Sequence, residues 1–356
     1  MFLAALVPFL RGTARPHALR LPRAAATAAM LGALALTAGP APAQPSRLPD
    51  LTANAGDLTR FNSSIVRVAA NIVEDGRSVE TLGSNRVGTG VILDDRTVLT
   101  IGYLVMEADR VEVTSSSGRK VPASVLGFDH GSGLGLLRTA LPLDGRPLEL
   151  GDSDRIGERQ RVLTLGHGEP EATPLLVVAR KPFAGSWEYL VERALFTFPP
   201  VNNWSGAALI TEDDKLVGIG ALIVQDAVAG QQSVPGNMYV PTDLLKPILA
   251  DLKSSGRVRR PQPWLGMTTE LVRGNLMVTR VSPGSPADQA GVTAGDIVLS
   301  VGKDRIADQA EFYRRVWNMG PAGVEVPLRM LHAGDVRDTR IRSIDRNEFL
   351  RKASGI

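Results

Sequence analysis

From Phe61 onward the chain is cut into short apolar runs by turn-forming residues, at intervals that leave no room for a helical domain. The run Ile65-Val66-Arg67-Val68-Ala69-Ala70 is followed by apolar stretches at 88–93, 98–101, 111–114, 121–126 and 134–138. Glu74-Asp75-Gly76, Asp94-Asp95-Arg96 and Ser117-Gly118 separate them. Short strands with this punctuation predict a sandwich or a barrel. A second set begins after Gly151-Asp152-Ser153 and occupies 161–165, 174–179, 187–198, 207–210, 216–224 and 238–240. Two such sets in succession predict a double barrel. Gly 36 and Pro 24 with few aromatics agree with a turn-rich, mostly β chain.

Thr242-Asp243-Leu244-Leu245 then predicts an amphipathic helix, with Thr242 as N-cap and Leu244, Leu245, Ile248 and Leu249 on one face, ending near Gly256. Pro247 falls near the first turn, where a lost N–H costs little. Residues 254–263 (SSGRVRRPQP) have the composition of a linker. Beyond them come Trp264-Leu265-Gly266-Met267, a strand at 276–281, the string Ser282-Pro283-Gly284-Ser285-Pro286-Ala287, and Ala290-Gly291-Val292-Thr293-Ala294-Gly295-Asp296. Gly291 and Gly295 suit a short capped helix and a tight turn before the strand at 297–301, and a helix follows at 309–317.

The 356 residues suffice for two or three cored domains, and the formal charge of +3 overstates the basic character. Four of the 40 Lys and Arg residues (Arg11, Arg15, Arg20, Arg23) precede residue 44, where no acid occurs, so the remainder is 36 against 37 acids. Nothing in that balance calls for nucleic acid or anionic lipid. Zero cysteines exclude a disulfide framework and thiolate chemistry. The basic stretch 15–23, the apolar run 24–38 and Ala41-Pro42-Ala43 read as an export signal spanning 1–43, cleaved or retained as an anchor. The apolar run falls short of the ~20 residues a spanning helix needs. With the signal removed, no integral span is expected.

One stretch carries the chemistry: Pro199-Pro200-Val201-Asn202-Asn203-Trp204-Ser205-Gly206-Ala207-Ala208-Leu209-Ile210, set between strand-like runs. A serine at a turn, opening into Gly-Ala-Ala-Leu-Ile and then Leu216-Val217-Gly218-Ile219-Gly220, resembles the nucleophile segment of the trypsin-like proteases of the HtrA type. Gly88-Thr89-Gly90-Val91-Ile92-Leu93, Leu148-Glu149-Leu150-Gly151-Asp152-Ser153-Asp154 and Tyr239-Val240-Pro241 are similar to further segments of that family. The strings at 282–287 and 290–296 resemble the PDZ domain of its bacterial members. The resemblance implies a chymotrypsin-like double β-barrel followed by a PDZ domain. The expected division is a signal at 1–43, a lead-in at 44–60, the barrels at 61–256, a linker at 257–262, the PDZ domain at 263–345 and a tail at 346–356.

The catalytic positions depart from the family pattern. Where the family has Leu-Thr-Asn-x-His-Val-Val, this chain has Leu99-Thr100-Ile101-Gly102-Tyr103-Leu104-Val105, which puts Tyr103 in the histidine's place. Gly133-Leu134-Gly135-Leu136-Leu137 puts Gly133 in the aspartate's place. Ser205 alone is kept, and Asn203 with Ser205 stands at the oxyanion turn. A serine hydroxyl needs a base with a pKa near working pH. A phenol at its ordinary pKa of about 10 stays protonated. Loss of the base from a triad that acts as a unit costs about 10⁶ in turnover, roughly 8 kcal/mol. Asn203 can adopt the left-handed backbone that glycine favours there, so an oxyanion turn survives as a possibility of sequence.

His130, beside Asp129 and close to Gly133, reads as a solvated turn histidine, and His167 as a surface or loop-packing residue; His332 lies in the PDZ part. A Ser–Lys dyad through Lys181 or Lys215 has no support in spacing. Ser205 reads most simply as a small residue kept at a tight turn. Tyr103, Trp187, Tyr189 and Trp204 line a former substrate cleft or serve as plain core. The carboxylate pairs Asp94-Asp95 and Asp213-Asp214 are turn residues, so no metal is expected, and no cofactor. By resemblance, Trp264, Leu265, Gly266 and Met267 form a carboxylate-binding loop that takes a peptide C-terminus by β-augmentation; the other reading is a PDZ domain packed on its own barrels as a spacer. The expected protein is exported, periplasmic and HtrA-like, a pseudoprotease that binds polypeptides or protein C-termini. A homo-oligomer (a trimer) is implied by resemblance. The alternative is a serine endopeptidase of protein quality control with an unconventional base at Ser205.

Overall fold

The computed structural model describes residues 56–228 and 234–352. The expected export signal at 1–43 and most of the lead-in lie outside them. Three β structures follow one another.

The first is a closed barrel of β1 (Ile65–Ile72), β2 (Asn85–Ile92), β3 (Thr97–Ile101), β4 (Ala108–Thr114), β5 (Lys120–Phe128) and β6 (Leu134–Thr139), in the order β1-β2-β3-β6-β5-β4. Two short helices belong to it, α1 (Val79–Leu82) and α2 (Gly102–Val105). The second barrel comprises β7 (Arg161–Leu165), β8 (Thr173–Gly185), β9 (Tyr189–Phe198), β10 (Ala208–Ile210), β11 (Leu216–Val228) and β12 (Val234–Pro241), in the order β10-β11-β12-β9-β8-β7. Closing each sheet leaves no unpaired strand edge in it.

One apolar cluster runs from the first barrel (Val66, Val68, Ile92, Leu99, Leu136) into the second (Leu165, Phe196, Ile210, Ile219, Val240), so the barrels share a core. The far side of the second barrel holds its own, around Val162, Leu175, Leu209 and Tyr239.

The predicted helix at 242 begins later than expected. Thr242 donates its hydroxyl to Leu216 O at 3.1 Å, so it does not cap. A 3₁₀ turn occupies Thr242–Leu244, and the α-helix proper, α3 (Leu249–Ser255), starts only after Pro247. Pro247 has no N–H to contribute to a continuous helix, which separates the two segments. Gly256 ends α3 at φ +71, and its backbone lies on β5: a Cβ there would meet Leu126 O at 2.5 Å. The start of the linker is therefore clamped to the first barrel rather than loose.

The third structure is a sheet of β13 (Met267–Val272), β14 (Asn275–Val281), β15 (Ile297–Val301), β17 (Glu325–His332) and β18 (Asp335–Arg342) in that order, with β16 (Asp304–Arg305) paired to β15. α4 (Pro286–Gln289) is capped by Ser285, and α5 (Gln309–Asn318) by Asp308, whose carboxylate accepts from Glu311 N at 2.8 Å. Phe312, Tyr313 and Val316 of α5 pack on Leu265, Met267, Val278 and Leu328. Leu190 of β9 is buried in this third core, so the second barrel reaches into it. α6 (Arg346–Phe349) follows the last strand.

Gly256→Ala is expected to destabilise the folded chain by more than about 1 kcal/mol, since the side chain is strained at positive φ and has no room. Gly118→Ala, at φ +86 with open space around it, is expected to cost less. Paired thermal or urea melts check the order; equal losses would contradict the close approach of α3 to β5.

Candidate functional site

Ser205 sits at the second position of a turn closed by Ala207 N donating to Trp204 O at 3.0 Å. Gly206, at φ +77, fills the third position, where such a turn favours glycine. A Cβ on Gly206 would lie 2.1 Å from Thr89 O. Three main-chain bonds fix the turn: Gly206 N to Gly220 O at 2.9 Å, Gly220 N to Ala207 O at 2.8 Å, and Thr89 N to Ser205 O at 2.8 Å. The nucleophile position is thus held by both barrels at once. Gly88 leaves space behind it, since a Cβ there would stand 3.0 Å from Ser205 Oγ.

Tyr103 comes from α2, a single turn whose carbonyls are gathered by one buried guanidinium. Arg86 donates to Tyr103 O at 2.6 Å, Met106 O at 3.0 Å and the Ser78 hydroxyl at 2.7 Å. Burial lowers the Arg86 pKa to about 10, with Glu107 acting the other way. So held, the Tyr103 hydroxyl donates to Ser205 Oγ at 2.8 Å and lies 3.3 Å from Ala221 O. Its pKa is pushed far above the phenol's ordinary value by burial, against the pull of the Ser205 hydrogen bond. Trp204 meets the Tyr103 ring edge-on, with centroids 6.5 Å apart.

Gly133 has φ +73, and its carbonyl accepts Gly102 N at 2.7 Å at the start of α2. The space a side chain would need is filled: a Cβ on Gly133 would lie 2.8 Å from the Tyr189 hydroxyl. Tyr189 donates that hydroxyl to Ser132 O at 2.9 Å. Burial, and then the charge of Asp129, raise its pKa far above normal. Two phenols therefore stand where the resemblance would put an imidazole and a carboxylate.

No histidine or lysine among the described residues bonds Ser205. His167 Nδ1 lies 3.1 Å from Thr89 Oγ1, and the His167 main-chain N–H donates to the same hydroxyl at 2.9 Å. Burial and then Arg67 lower its pKa. His130 is no solvated turn residue. Arg346 donates to its Nδ1 at 3.0 Å, and burial followed by that guanidinium holds its pKa well below the usual value. Lys181 donates to Asp226 O at 2.7 Å, and Lys215 pairs with Glu149. Asn203 does not take the left-handed backbone open to it; its side-chain amide donates to His167 O. Among the described residues the main-chain N–H groups of Asn203 and Ser205 have no hydrogen-bond partner. No group of potential metal ligands occurs among them either.

The second candidate site holds a residue that sequence reasoning missed. Glu188, at φ +61 in the turn between β8 and β9, is buried with its carboxylate on three consecutive amides. Oε2 accepts Leu265 N at 2.8 Å, and Oε1 accepts Gly266 N at 2.6 Å and Met267 N at 2.9 Å. Gly266, at φ +88, turns the loop so that these amides converge. Trp264 is not part of the cradle: it exchanges N–H···O bonds with Ile344 at 3.0 and 3.1 Å. The segment before Glu188 lies along β13 and α5, with Thr269 N donating to Ser186 O at 3.1 Å and the Tyr313 hydroxyl to Gly185 O at 2.9 Å. Arg314 of α5 grips Glu192 of β9 with two bonds, at 2.7 and 2.8 Å. Burial raises the Glu188 pKa to about 7, while the three amides and Arg346 pull it down. Nothing in a lone glutamate beside Trp187 and Tyr189 announces this role.

Fold and sites together define a trypsin-like double barrel followed by a PDZ domain. Residues 88–219 match the family described as "Trypsin-like peptidase domain", and residues 263–342 match "PDZ domain". The two barrels and the PDZ domain follow one another as they do in HtrA-type proteases of solved structure. The chain is 26% identical over 287 residues to a Haemophilus influenzae protein named "Probable periplasmic serine protease do/HhoA-like", covering 75% of this chain and 60% of that one. It is 27% identical over 265 residues to the periplasmic serine endoprotease DegP of Salmonella typhimurium, covering 70% and 54%. The chain thus spans little more than half the length of these curated relatives. Among solved structures, the serine endoprotease from Yersinia pestis superposes with a TM-score of 0.50 at 24% identity, covering 80% of this chain and 94% of that one. The HtrA-type protease AlgW with decapeptide gives 0.52 at 20%, covering 85% and 99%. No helix among the described residues is long and apolar enough to cross a membrane.

All four tyrosines, Tyr103, Tyr189, Tyr239 and Tyr313, have pKa values raised chiefly by burial. Raised folded values favour the folded state fully below pH ~10, the unfolded phenol's value, and that advantage is lost as pH rises beyond it. Absorbance at the phenolate band is expected to stay flat through pH ~10 in the folded protein and to rise together with unfolding. A tyrosine titrating near its ordinary value while circular dichroism stays native would contradict the buried phenols at both sites.

Proposed function

We propose that the chain is an HtrA-like pseudoprotease: an exported, periplasmic protein that binds polypeptides or partner proteins without hydrolysing them. The observation that carries this reading is the 2.8 Å bond from the Tyr103 hydroxyl to Ser205 Oγ. A serine attacks a carbonyl only as its proton moves to a base. Here the neighbour gives a hydrogen bond to Oγ instead of accepting its proton. With its pKa raised by burial, the phenol does not become a phenolate near neutral pH. Tyr189 fills the space beside Gly133, so no carboxylate is available there to orient a base in Tyr103's stead. A homo-oligomer belongs to this reading by resemblance.

A second reading has its own support. The relatives are named serine proteases and endoproteases, which favours a serine endopeptidase acting through Ser205. The unpartnered N–H groups of Asn203 and Ser205 suit an oxyanion. Such a hole leaves a residual factor of about 10³ over water when the triad is broken. Against it stands the lack of any imidazole or amine bonded to Ser205 among the described residues. The geometry favours the first reading.

The protein lacking residues 1–43, its Ser205→Ala variant and a Tyr103→His variant would be incubated with unfolded casein and with a fluorophosphonate probe. Wild type and Ser205→Ala are expected to be indistinguishable in both. Tyr103→His is expected to gain no more than about 100-fold over wild type, because an imidazole without its orienting carboxylate forfeits about 10⁴ of the roughly 10⁶ that a complete triad supplies. Cleavage and labelling of the wild type that vanish in Ser205→Ala would overturn the pseudoprotease reading and establish the endopeptidase.

A further inference from the structure

Glu188 reproduces, within one chain, the group that the Leu265-Gly266-Met267 loop is shaped to hold. A carboxylate offers two oxygens with four acceptor positions, and three amide donors converge on this one. The α-carboxylate of a polypeptide terminus presents the same two oxygens at the same spacing. The likeness extends beyond the charge. Ser186 O accepts from Thr269 N of β13, as the backbone of an added strand would. Gly185 O is held by Tyr313 of α5 on the other side. Leu190 supplies hydrocarbon to the core formed by Leu265, Met267 and Phe312.

We propose that residues 185–190 are a built-in occupant of the PDZ groove, and that a polypeptide with a free C-terminal carboxylate and an apolar last side chain binds by displacing them. This rests on the polypeptide-binding reading above and names the ligand class and the internal competitor. The two states exchange like for like: three N–H···O bonds, one strand contact and one buried apolar side chain leave, and the same set returns with the ligand. A tethered competitor acts at an effective concentration in the millimolar range for short connections, so it weakens an external ligand without abolishing its binding. Apparent affinity falls by the fraction of molecules whose groove is open.

The left-handed backbone of Glu188 belongs to the three-residue loop closed by the Gly185–Tyr189 pair. Burial of its carboxylate opposes occupancy, and that cost ends when the turn leaves the groove.

The test measures fluorescence anisotropy of a pool of fluorescein-labelled decapeptides ending in Leu, Val or Phe, with free C-termini, on the protein lacking residues 1–43. The same pool with amidated C-termini serves as control. Glu188→Ala is expected to bind the free-acid pool at least about tenfold more tightly than wild type, and the amidated pool no better. Glu188→Gln keeps the shape and removes the charge, so an intermediate gain is expected even if the alanine variant folds poorly. Hydrogen exchange adds a readout that a purely structural glutamate would not give: free-acid peptide on wild type should expose residues 185–190 while the amides of Leu265, Gly266 and Met267 stay protected. Equal affinity of wild type and both variants for the free-acid pool would overturn the internal occupant and leave polypeptide binding standing. If no variant bound any peptide and wild type also failed to capture unfolded casein, both would fall.

Discussion

Glu188 and Tyr189 are consecutive residues, and their side chains leave the backbone toward different sites. The carboxylate of the first is bound by three amides of the PDZ loop. The hydroxyl of the second reaches Ser132 and occupies the space a side chain at Gly133 would need. The turn that presents them is short and its ends are fixed in β8 and β9, so neither side chain can move far while the other stays. Packing in the first barrel, the shape around Ser205 and the seating of the third sheet therefore share one fixed point. Interiors packed to crystal density respond to such a point by discrete rearrangement rather than by gradual yielding.

Around that point lies a set of charges which would be costly singly. Burial lowers the Arg346 pKa, against the charges of Glu188 and Glu107, which pull it the other way. Glu107 accepts from Arg77 N, Ser78 N, the Ser78 hydroxyl and Arg351 N, and these four donors outweigh burial, holding it below its ordinary value. His130 accepts from Arg346. Removing one partner from such a set leaves another buried and uncompensated, which costs several kcal/mol where an exposed pair costs little. The set joins α1, α2, the turn after β8 and α6, so the electrostatics and the domain contact are the same interaction.

Much of this was legible in the residues. Alternating short runs and turn residues gave two barrels, the closing segment and the third sheet, because period and punctuation are local properties. Ser205, Tyr103 and Gly133 could be read from position within strand–turn strings, and the structure brings all three to one place. The cradle of Leu265, Gly266 and Met267 was legible too, but Trp264 was not separable from it, since its pairing with Ile344 spans the sheet. What stayed hidden depends on contacts far apart in the chain: Glu188 lies 77 positions from Leu265, and His130 lies 216 from Arg346. Neither a solvated turn histidine nor a lone turn glutamate differs in local sequence from one that is later covered. The late start of α3 after Pro247 was a question of boundary, where local signals are weakest.

The strap made by α6 bears on the order in which the molecule comes together. Phe349 packs against Trp264 with the rings tilted and their centroids 4.6 Å apart, and lies under Arg77, whose guanidinium is 3.7 Å from its ring. Arg351 reaches Glu107 and Asp75 in the first barrel. Among the described residues these are the last to leave the ribosome. Both barrels and the third sheet are already complete in sequence by then. The latch between them closes only when synthesis has delivered it, so a nascent molecule has its parts but not yet their union.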